Sequence, residues 1–227
     1  ALMSNSDVFL CDIEGHYRQL TNTAGEERDI AFSPDGKWLA YAALRGHKWG
    51  IYGIDLSEDQ QSGRLGLSHP EIPLIVSDQS NLLDPKFSPD GSKLAFWSDR
   101  REVKVIDLAN GQISALHNET DYNSDYFDKG GDFSWSPTSK DLLVPWRSVD
   151  GSVLNRVAIV SADGSAPLQP LLAMVPNFYG GFWSADGTQL IGYTTLYTAR
   201  SADNFNANSN FDLYRIFLSP QARQDYI

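Results

Sequence analysis

The sequence predicts an all-β protein, a β-propeller built from four-stranded antiparallel blades. Three observations support this prediction: one short turn sequence recurs at the spacing of propeller blades, an alternating strand pattern follows each copy, and no long stretch keeps the apolar spacing of a helix. An immunoglobulin-like sandwich also has short strands and regular turns. That fold does not account for the repeated turn sequence, so the propeller is preferred.

The recurring turn has the pattern aromatic-Ser-Pro-Asp-Gly and occurs at 32–36, 87–91, 135–139 and 183–187. Its serines are spaced by 55, 48 and 48 residues and are Ser33, Ser88, Ser136 and Ser184. Ser and Asp side chains can bond nearby backbone N–H groups, Pro presets φ, and Gly tolerates a positive φ. Thr138 and Ser139 replace Asp-Gly in the third copy, and Ala185 replaces Pro in the fourth. We expect altered turns in these two copies.

Each turn separates two strands of a blade, and a third strand follows. The predicted second strands are 38–43, 94–97, 142–144 and 190–193, and the predicted third strands are 51–56, 103–108, 157–162 and 213–218. Residues 1–3, 8–12 and 18–21 match the second, third and fourth strands of one further blade. We therefore expect four near-complete blades and a partial N-terminal blade that belong to a larger propeller. The predicted divisions are 1–24, 25–79, 80–120, 121–173, 174–219, and a linker to a following domain at 220–227.

Composition limits the classes of partner. The 227 residues carry a net charge of −11, which opposes binding to nucleic acid and to anionic membrane surfaces. No apolar run reaches the length of a membrane-spanning helix. The single cysteine, Cys11, forms no internal disulfide, and the four histidines lack metal-ligand spacing. These features leave the compartment open, with the periplasm favoured over the cytoplasm.

Longer strings in the chain resemble a known family. The repeated turn, with Ile-Asp-Leu at 54–56 and 106–108, resembles the propeller repeats of TolB, tricorn protease and the prolyl-oligopeptidase group. The ordered strings at 19–23, 27–36, 99–108, 128–137 and 212–218 resemble the second propeller of tricorn-like serine peptidases. The resemblance implies a noncatalytic propeller that guides or sieves peptides and holds domain contacts in a large peptidase. A TolB-like interaction scaffold and the propeller cap of a prolyl-oligopeptidase-type hydrolase remain alternatives.

Motifs that carry chemistry are weak in this chain. The segment 66–70 is the nearest match to a nucleophile elbow, but it lacks the final Gly and lies in a polar insertion, so Ser68 and His69 are interpreted as loop residues. We predict no catalytic residue and no cofactor. One acidic loop has calcium-loop spacing at Asp121, Asn123, Asp125 and Asp132. Tyr126 stands where that loop needs Gly, so a turn-forming acidic loop is the preferred interpretation.

Propeller topology places the connections between second and third strands on the same face as the connections between blades. We predict that this face meets peptide substrate or another domain, with candidates Arg45, Trp49, Arg100, Arg147 and Arg200. Trp49 and Arg45 fall in a predicted loop at 44–50. The expected partners are peptides, other domains of the same polypeptide, and a second copy in a homo-oligomer.

Overall fold

The computed structural model of the chain describes residues 2–4, 7–57, 70–100, 102–116, 132–146, 156–166, 169–170, 178–195 and 211–217. The strands in these ranges are β1 (Leu2–Ser4), β2 (Asp7–Cys11), β3 (Tyr17–Gln19), β4 (Glu27–Phe32), β5 (Trp38–Arg45), β6 (Lys48–Asp55), β7 (Ile72–Ile75), β8 (Leu82–Phe87), β9 (Lys93–Ser98), β10 (Glu102–Asp107), β11 (Ile113–Ala115), β12 (Ser134–Trp135), β13 (Asp141–Trp146), β14 (Arg156–Ser161), β15 (Gln169–Pro170), β16 (Phe178–Trp183), β17 (Gln189–Thr195) and β18 (Phe211–Phe217). Within the same ranges, no helix has the length and apolar character needed to cross a membrane.

The strands form five antiparallel sheets whose members follow one another in chain order. Their orders are β1-β2-β3, β4-β5-β6-β7, β8-β9-β10-β11, β12-β13-β14-β15 and β16-β17-β18. This up-and-down order within each sheet is that of propeller blades, and the predicted all-β class is confirmed. The first sheet holds three strands at the positions predicted for a partial blade.

Contacts divide the chain into two compact units, Ala1–Ala115 and Leu116–Ile227. In the first unit, apolar side chains of the second sheet pack against Val8 of the first sheet. This buried cluster contains Val8, Leu39, Tyr41, Ala43, Ile54 and Leu56, with Leu20, Ile30 and Tyr52 at its edge. Leu39, Tyr41 and Ala43 share one face of β5 and pack the second sheet against the first. Ala40 and Ala42, on the opposite face, are also fully buried, so β5 is covered on both faces.

The first strands of the second and third sheets, β4 and β8, contain a bulge at the same repeat position. The ladder shifts between Arg28 and Ala31 in β4 and between Leu83 and Lys86 in β8. The residues inside the shifts, Asp29 and Asp84, have φ values of 54° and 52°, which are rare for residues other than glycine. The Asp84 N–H donates to Asp29 Oδ2 at 3.3 Å, so one bulge contacts the next.

In the second unit, β13 and β14 supply most of the described buried apolar residues. Leu142, Val144, Val157, Ala158 and Ile159 are at most 2% exposed, as expected for central strands covered on both faces. A side-chain contact joins the two sheets of this unit, because the Ser134 hydroxyl donates to the Gly181 carbonyl at 2.7 Å.

All four copies of the recurring turn keep one backbone conformation. The N–H of the fifth residue bonds to the carbonyl of the motif serine in every copy, at 2.9 to 3.0 Å. Ser139 takes a φ of 62°, close to the 66° to 73° of the glycines in the other copies. The expectation of altered turns is therefore wrong: Ser139 adopts the left-handed conformation, and Thr138 replaces the aspartate as the hydroxyl partner of Ser136 at 3.1 Å.

Candidate functional site

The connection between β5 and β6 is a tight hairpin and differs from the predicted loop at 44–50. Arg45 ends β5, Lys48 begins β6, and only Gly46 and His47 lie between them. Trp49 is therefore a strand residue opposite Leu44, which corrects its assignment to a loop. Residues at this end of the sheet are held by the ladder, so Arg45 and Trp49 are rigidly placed.

Arg45 is enclosed by two carboxylates. Its Nη2 donates to Glu27 Oε1 at 2.7 Å and to Glu71 Oε2, and its Nε donates to Glu71 Oε1 at 3.1 Å. The remaining nitrogen, Nη1, donates to the Leu44 carbonyl at 3.1 Å. The guanidinium also lies over the Tyr52 ring at 5.3 Å from its centroid. Burial lowers the pKa of Arg45, but the hydrogen bonds to Glu71 and Glu27 outweigh burial and leave it raised.

The two carboxylates have further partners that tie this group into the fold. The Glu27 side chain has no exposed surface and accepts hydrogen bonds from the Thr21 and Thr23 hydroxyls. Thr21 Oγ1 in turn accepts the Val8 N–H at 2.8 Å, which reaches the first sheet. The Tyr41 hydroxyl donates to Glu71 Oε2 at 2.6 Å, and burial together with this bond raises the pKa of Tyr41.

These contacts identify the group as a clamp rather than an open binding site. Its members are Thr21, Thr23, Glu27, Tyr41, Arg45 and Glu71, and we call them the Arg45 clamp. A buried charge is stable only when it is paired and hydrogen-bonded, and every nitrogen of Arg45 has an acceptor here. The Arg45 clamp joins the connection before β4, β4 itself, β5 and the residue before β7, and Thr21 bonds it to β2.

Trp49 is linked through Asn81 to Asp99, the residue that precedes Arg100, another predicted candidate. The Trp49 N–H donates to Asn81 Oδ1 at 3.2 Å. The Asn81 N–H donates to Asp99 Oδ1 at 2.8 Å, and the Asp99 N–H returns to the Asn81 carbonyl at 2.7 Å. Arg100 follows Asp99 in the turn after β9. One continuous set of contacts therefore runs from the second sheet to the third.

An arginine that the sequence did not single out lies beside Trp49. The guanidinium carbon of Arg28 is 5.6 Å from the Trp49 ring centroid, within the range of a cation–π contact. Its Nε is 3.2 Å from Asp29 Oδ2. No local spacing signals this pair, because Arg28 and Trp49 lie on strands β4 and β6 with β5 between them.

Most of the other predicted candidates lie outside the part of the chain that the structure describes. Arg147, Arg200, Asp121, Asn123, Asp125, Ser68 and His69 lie outside the described residues. Asp132 is described and exposed, two residues before β12. The structure therefore leaves the calcium interpretation and the two later arginines as predictions.

The hairpin between β2 and β3 gathers three ionisable side chains that sequence reasoning missed. Ligand atoms of Asp12, Glu14 and His16 lie within 4.8 Å of one another, and all three residues are exposed. Asp12 Oδ1 accepts the N–H groups of Glu14 and His16, and Asp12 Oδ2 lies 2.8 Å from His16 Nδ1. The hydrogen bond to His16 lowers the pKa of Asp12. These contacts serve the turn itself, in which Gly15 has a φ of 91°.

Known proteins with similar sequences include two dipeptidyl-peptidases. No protein-family model matches the chain. Dipeptidyl-peptidase 5 of Porphyromonas gingivalis is 32% identical over 125 residues, which cover 50% of this chain and 17% of that protein. A protein of Emericella nidulans named probable dipeptidyl-peptidase 5 is 26% identical over 199 residues, covering 81% of this chain and 26% of that protein. The chain thus spans at most about a quarter of the length of these relatives.

Solved structures with the same fold include propellers of different proteins. TolB from Acinetobacter baumannii gives a TM-score of 0.60 at 20% identity and covers 93% of this chain and 48% of that chain. Tricorn protease gives 0.62 at 15% identity, with 96% of this chain and 20% of that chain covered. A puromycin-hydrolysing peptidase from Mycobacterium tuberculosis gives 0.60 at 15% identity, with 91% and 29% covered. The fold is that of a β-propeller, and the predicted resemblance to TolB and tricorn propellers is confirmed.

Proposed function

We propose that the chain is a noncatalytic propeller segment of a larger serine peptidase, where it guides or sieves peptides and maintains contacts between domains. The observation that carries this proposal is the match to two proteins named as dipeptidyl-peptidase 5, each aligned over no more than 26% of its length. A segment of that size within a longer enzyme fits a supporting domain.

The described chemistry agrees with a supporting role. A serine peptidase needs a nucleophilic hydroxyl next to a histidine base. The described histidines are His16, whose ring faces Asp12 and Glu14, and His47, which is exposed in the β5–β6 turn. The most elaborate charged group, the Arg45 clamp, uses its donors and acceptors to join strands.

The test compares the 227-residue chain with the polypeptide encoded by the whole gene. Both are incubated with a fluorogenic dipeptide reporter and with a ten-residue peptide, with and without a serine-directed inhibitor. We expect inhibitor-sensitive hydrolysis by the whole gene product and none by the chain. Hydrolysis by the chain alone would contradict the noncatalytic assignment. Substitutions within the 227-residue segment of the whole gene product should change KM for the ten-residue peptide more than KM for the dipeptide reporter.

A TolB-like interaction scaffold is the second candidate, because TolB from Acinetobacter baumannii and a protein of Agrobacterium tumefaciens named putative TolB match this fold over 93% and 95% of the chain. The same assay separates the candidates: a whole gene product without serine-dependent hydrolysis favours the scaffold. A prolyl-oligopeptidase-type parent is distinguished by an α/β-hydrolase sequence with a GxSxG elbow in the same gene.

A further inference from the structure

The last sheet, β16-β17-β18, exposes apolar residues on one of its two faces. Leu190 of β17 is fully buried, whereas the next residue, Ile191, is 36% exposed, and Phe182 of β16 is 53% exposed. Phe182 and Ile191 are register partners in the ladder between β16 and β17, so their side chains lie next to each other on the same face. We call this pair the Phe182 face.

The repeat shows that the same face is buried in the other sheets that carry the motif. The residue six positions after the motif serine is fully buried in all four copies: Leu39, Leu94, Leu142 and Leu190. The next residue points to the opposite face, because side chains alternate along a strand. It is at most 1% exposed in Ala40, Ala95 and Leu143, against 36% in Ile191. The last sheet is therefore the exception at this position.

Contacts within each unit show what covers this face. In the first unit, β8 lies against β4, β5 and β6, and in the second unit β16 lies against β12, β13 and β14 in the same way. Ser134, two residues before its motif serine, donates to the Gly181 carbonyl of β16 at 2.7 Å. Phe182 also stands two residues before its motif serine, Ser184. At these repeat positions, the covering element is the first strand of the next blade.

We propose that a further propeller blade covers the Phe182 face in the parent protein, with the first strand of that blade lying against β17. The blade is supplied by a part of the parent polypeptide outside these 227 residues. The inference rests on the proposed function in taking a longer polypeptide as the parent. The two dipeptidyl-peptidases are aligned over at most 26% of their length, which leaves room for further blades in a protein of that size.

The size of the exposed pair indicates the chemistry of the covering strand. Phe182 and Ile191 are bulkier than Ala31 and Ala40, the register partners at the same positions of the second sheet. Protein interiors are close-packed, so a bulkier pair leaves less room for the strand above it. An apolar pair also disfavours a charged residue opposite it, because burial of an unpaired charge is costly. We therefore expect small, uncharged residues in the covering strand.

Hydroxyl-radical footprinting of the 227-residue chain and of the whole gene product tests the coverage. Mass spectrometry gives the oxidation rate of each side chain in the two proteins. We expect Phe182 to be oxidised about fivefold or more slowly in the whole gene product, because the core of a packed interface excludes water. Ile113, 47% exposed on edge strand β11, is the control and should keep its rate. An unchanged rate at Phe182, or equal protection of Ile113, overturns the proposal.

Photo-cross-linking identifies what covers the face. The whole gene product is prepared with a photoreactive benzoylphenylalanine in place of Phe182 and irradiated, and the linked peptides are sequenced. We expect a link within one polypeptide to a segment outside the 227 residues that is followed by a Ser-Pro-Asp-Gly-type turn, as the first strand of a blade is. A link to a second copy, to residues of the 227-residue chain or to a segment without that turn, or no link, overturns the proposal.

One substitution releases the blade, and a matched one does not. Ile191→Lys places a charge on the Phe182 face, so the oxidation rate of Phe182 in the whole gene product should rise about fivefold, to the rate in the chain. Ile113→Lys makes the same change at an exposed isoleucine of the third sheet and should leave Phe182 protected. Protection retained in Ile191→Lys, or lost equally in Ile113→Lys, overturns the proposal.

Failure here is distinguishable from failure of the peptidase assignment. If Phe182 is oxidised equally in both proteins while only the whole gene product hydrolyses peptides, no blade covers the Phe182 face and the noncatalytic role stands. If Phe182 is protected and linked to a further blade but the whole gene product lacks hydrolysis, the covering blade stands and the scaffold role replaces the peptidase role.

Discussion

At the scale of single residues, Arg45 shows how tertiary contacts can assign a residue a role that its type does not reveal. An arginine near a strand end was predicted to meet a partner, yet its side chain contacts Glu27 and Glu71. These acids lie 18 and 26 residues away in the sequence, so no local pattern announces the pair. The consequence is that Arg45 contributes mainly to stability.

Replacement of Arg45 tests this role. Arg45→Ala leaves the buried Glu27 carboxylate without its cation, and we expect a loss of about 3 kcal/mol in the free energy of unfolding, measured by urea denaturation. Arg45→Lys keeps the charge but not the fork that reaches both carboxylates, so about 1–2 kcal/mol should be lost. Lys104→Gln removes one partner of the Lys104–Glu102 pair on the surface and should change stability by less than about 0.5 kcal/mol. A loss of that small size in Arg45→Ala would contradict the clamp.

Asp141 makes stability depend on pH in the second unit. Burial raises the pKa of Asp141 to about 6, with Lys140 opposing the shift and Asp163 adding to it. Because the folded pKa lies above the unfolded value of 3.8, the contribution to stability is fully present below that value and is lost as pH rises through about 6. Asp141→Asn should therefore match the parent near pH 4 and exceed it above pH 6. Water screens a half-buried group, so we expect roughly 1–1.5 kcal/mol.

Asp163 should change stability with pH in the opposite direction to Asp141, so it serves as the control. Hydrogen bonds from Ser161 and Ser165 lower the pKa of Asp163 to about 2. Its contribution is present above the unfolded pKa and is lost as pH falls toward 2, so Asp163→Asn should destabilise the chain at neutral pH. Thermal unfolding of both variants across pH 3 to 8 checks the two signs. A parent-like pH profile in Asp141→Asn would refute the assignment to Asp141.

At the scale of elements, the sequence allowed the strands to be placed well because the repeated turn marks their ends. The predicted second strand at 94–97 and third strand at 103–108 correspond to β9 (Lys93–Ser98) and β10 (Glu102–Asp107). Strand lengths in the second sheet were less predictable. A loop was predicted at 44–50, but ladder pairing extends to Arg45 and Lys48, so only Gly46 and His47 lie between the strands.

The candidate site was predictable in part for the same reason. Propeller topology predicted that Trp49 and Arg100 lie on one face, since connections of neighbouring sheets emerge together, and hydrogen bonds through Asn81 join Trp49 to Asp99, the residue before Arg100. The positions of Arg28 and Asn81 were not predictable, because each contact depends on how two separate elements pack. The Ser139 turn was also unexpected, since residue preference disfavours a positive φ that the ladder between β12 and β13 nevertheless imposes.

In the connection before β4, the backbone of Gly25 lies close to the Leu44 carbonyl at the end of β5. A Cβ at Gly25 would lie 2.0 Å from the Leu44 carbonyl oxygen and 2.8 Å from Arg45 Nη1. The nearer atom belongs to the backbone and cannot rotate away, so Gly25→Ala should cost about 3 kcal/mol or more and disturb the Arg45 clamp. Ala24→Ser, at the exposed preceding residue, should be nearly neutral. Urea denaturation measures both, and equal stability of the two variants would show that the connection can move.

At the scale of the whole molecule, charge governs which large partners the chain can meet. There are 29 acidic against 18 basic residues, and several described cations face carboxylates at 4 Å or less: Arg28, Lys37, Arg45, Lys86 and Lys104. Phosphate backbones are bound by clusters of unpaired Lys and Arg. Because these cations face carboxylates, they contribute little net positive charge toward a phosphate backbone.

We therefore expect no binding of the chain to double-stranded DNA or to anionic vesicles at about 50 mM salt, where electrostatic binding is strongest. Filter binding and vesicle sedimentation measure this, with a basic DNA-binding protein as the positive control. Salt-dependent retention of the DNA or of the vesicles by the chain would contradict the exclusion of nucleic acid and anionic membranes drawn from net charge.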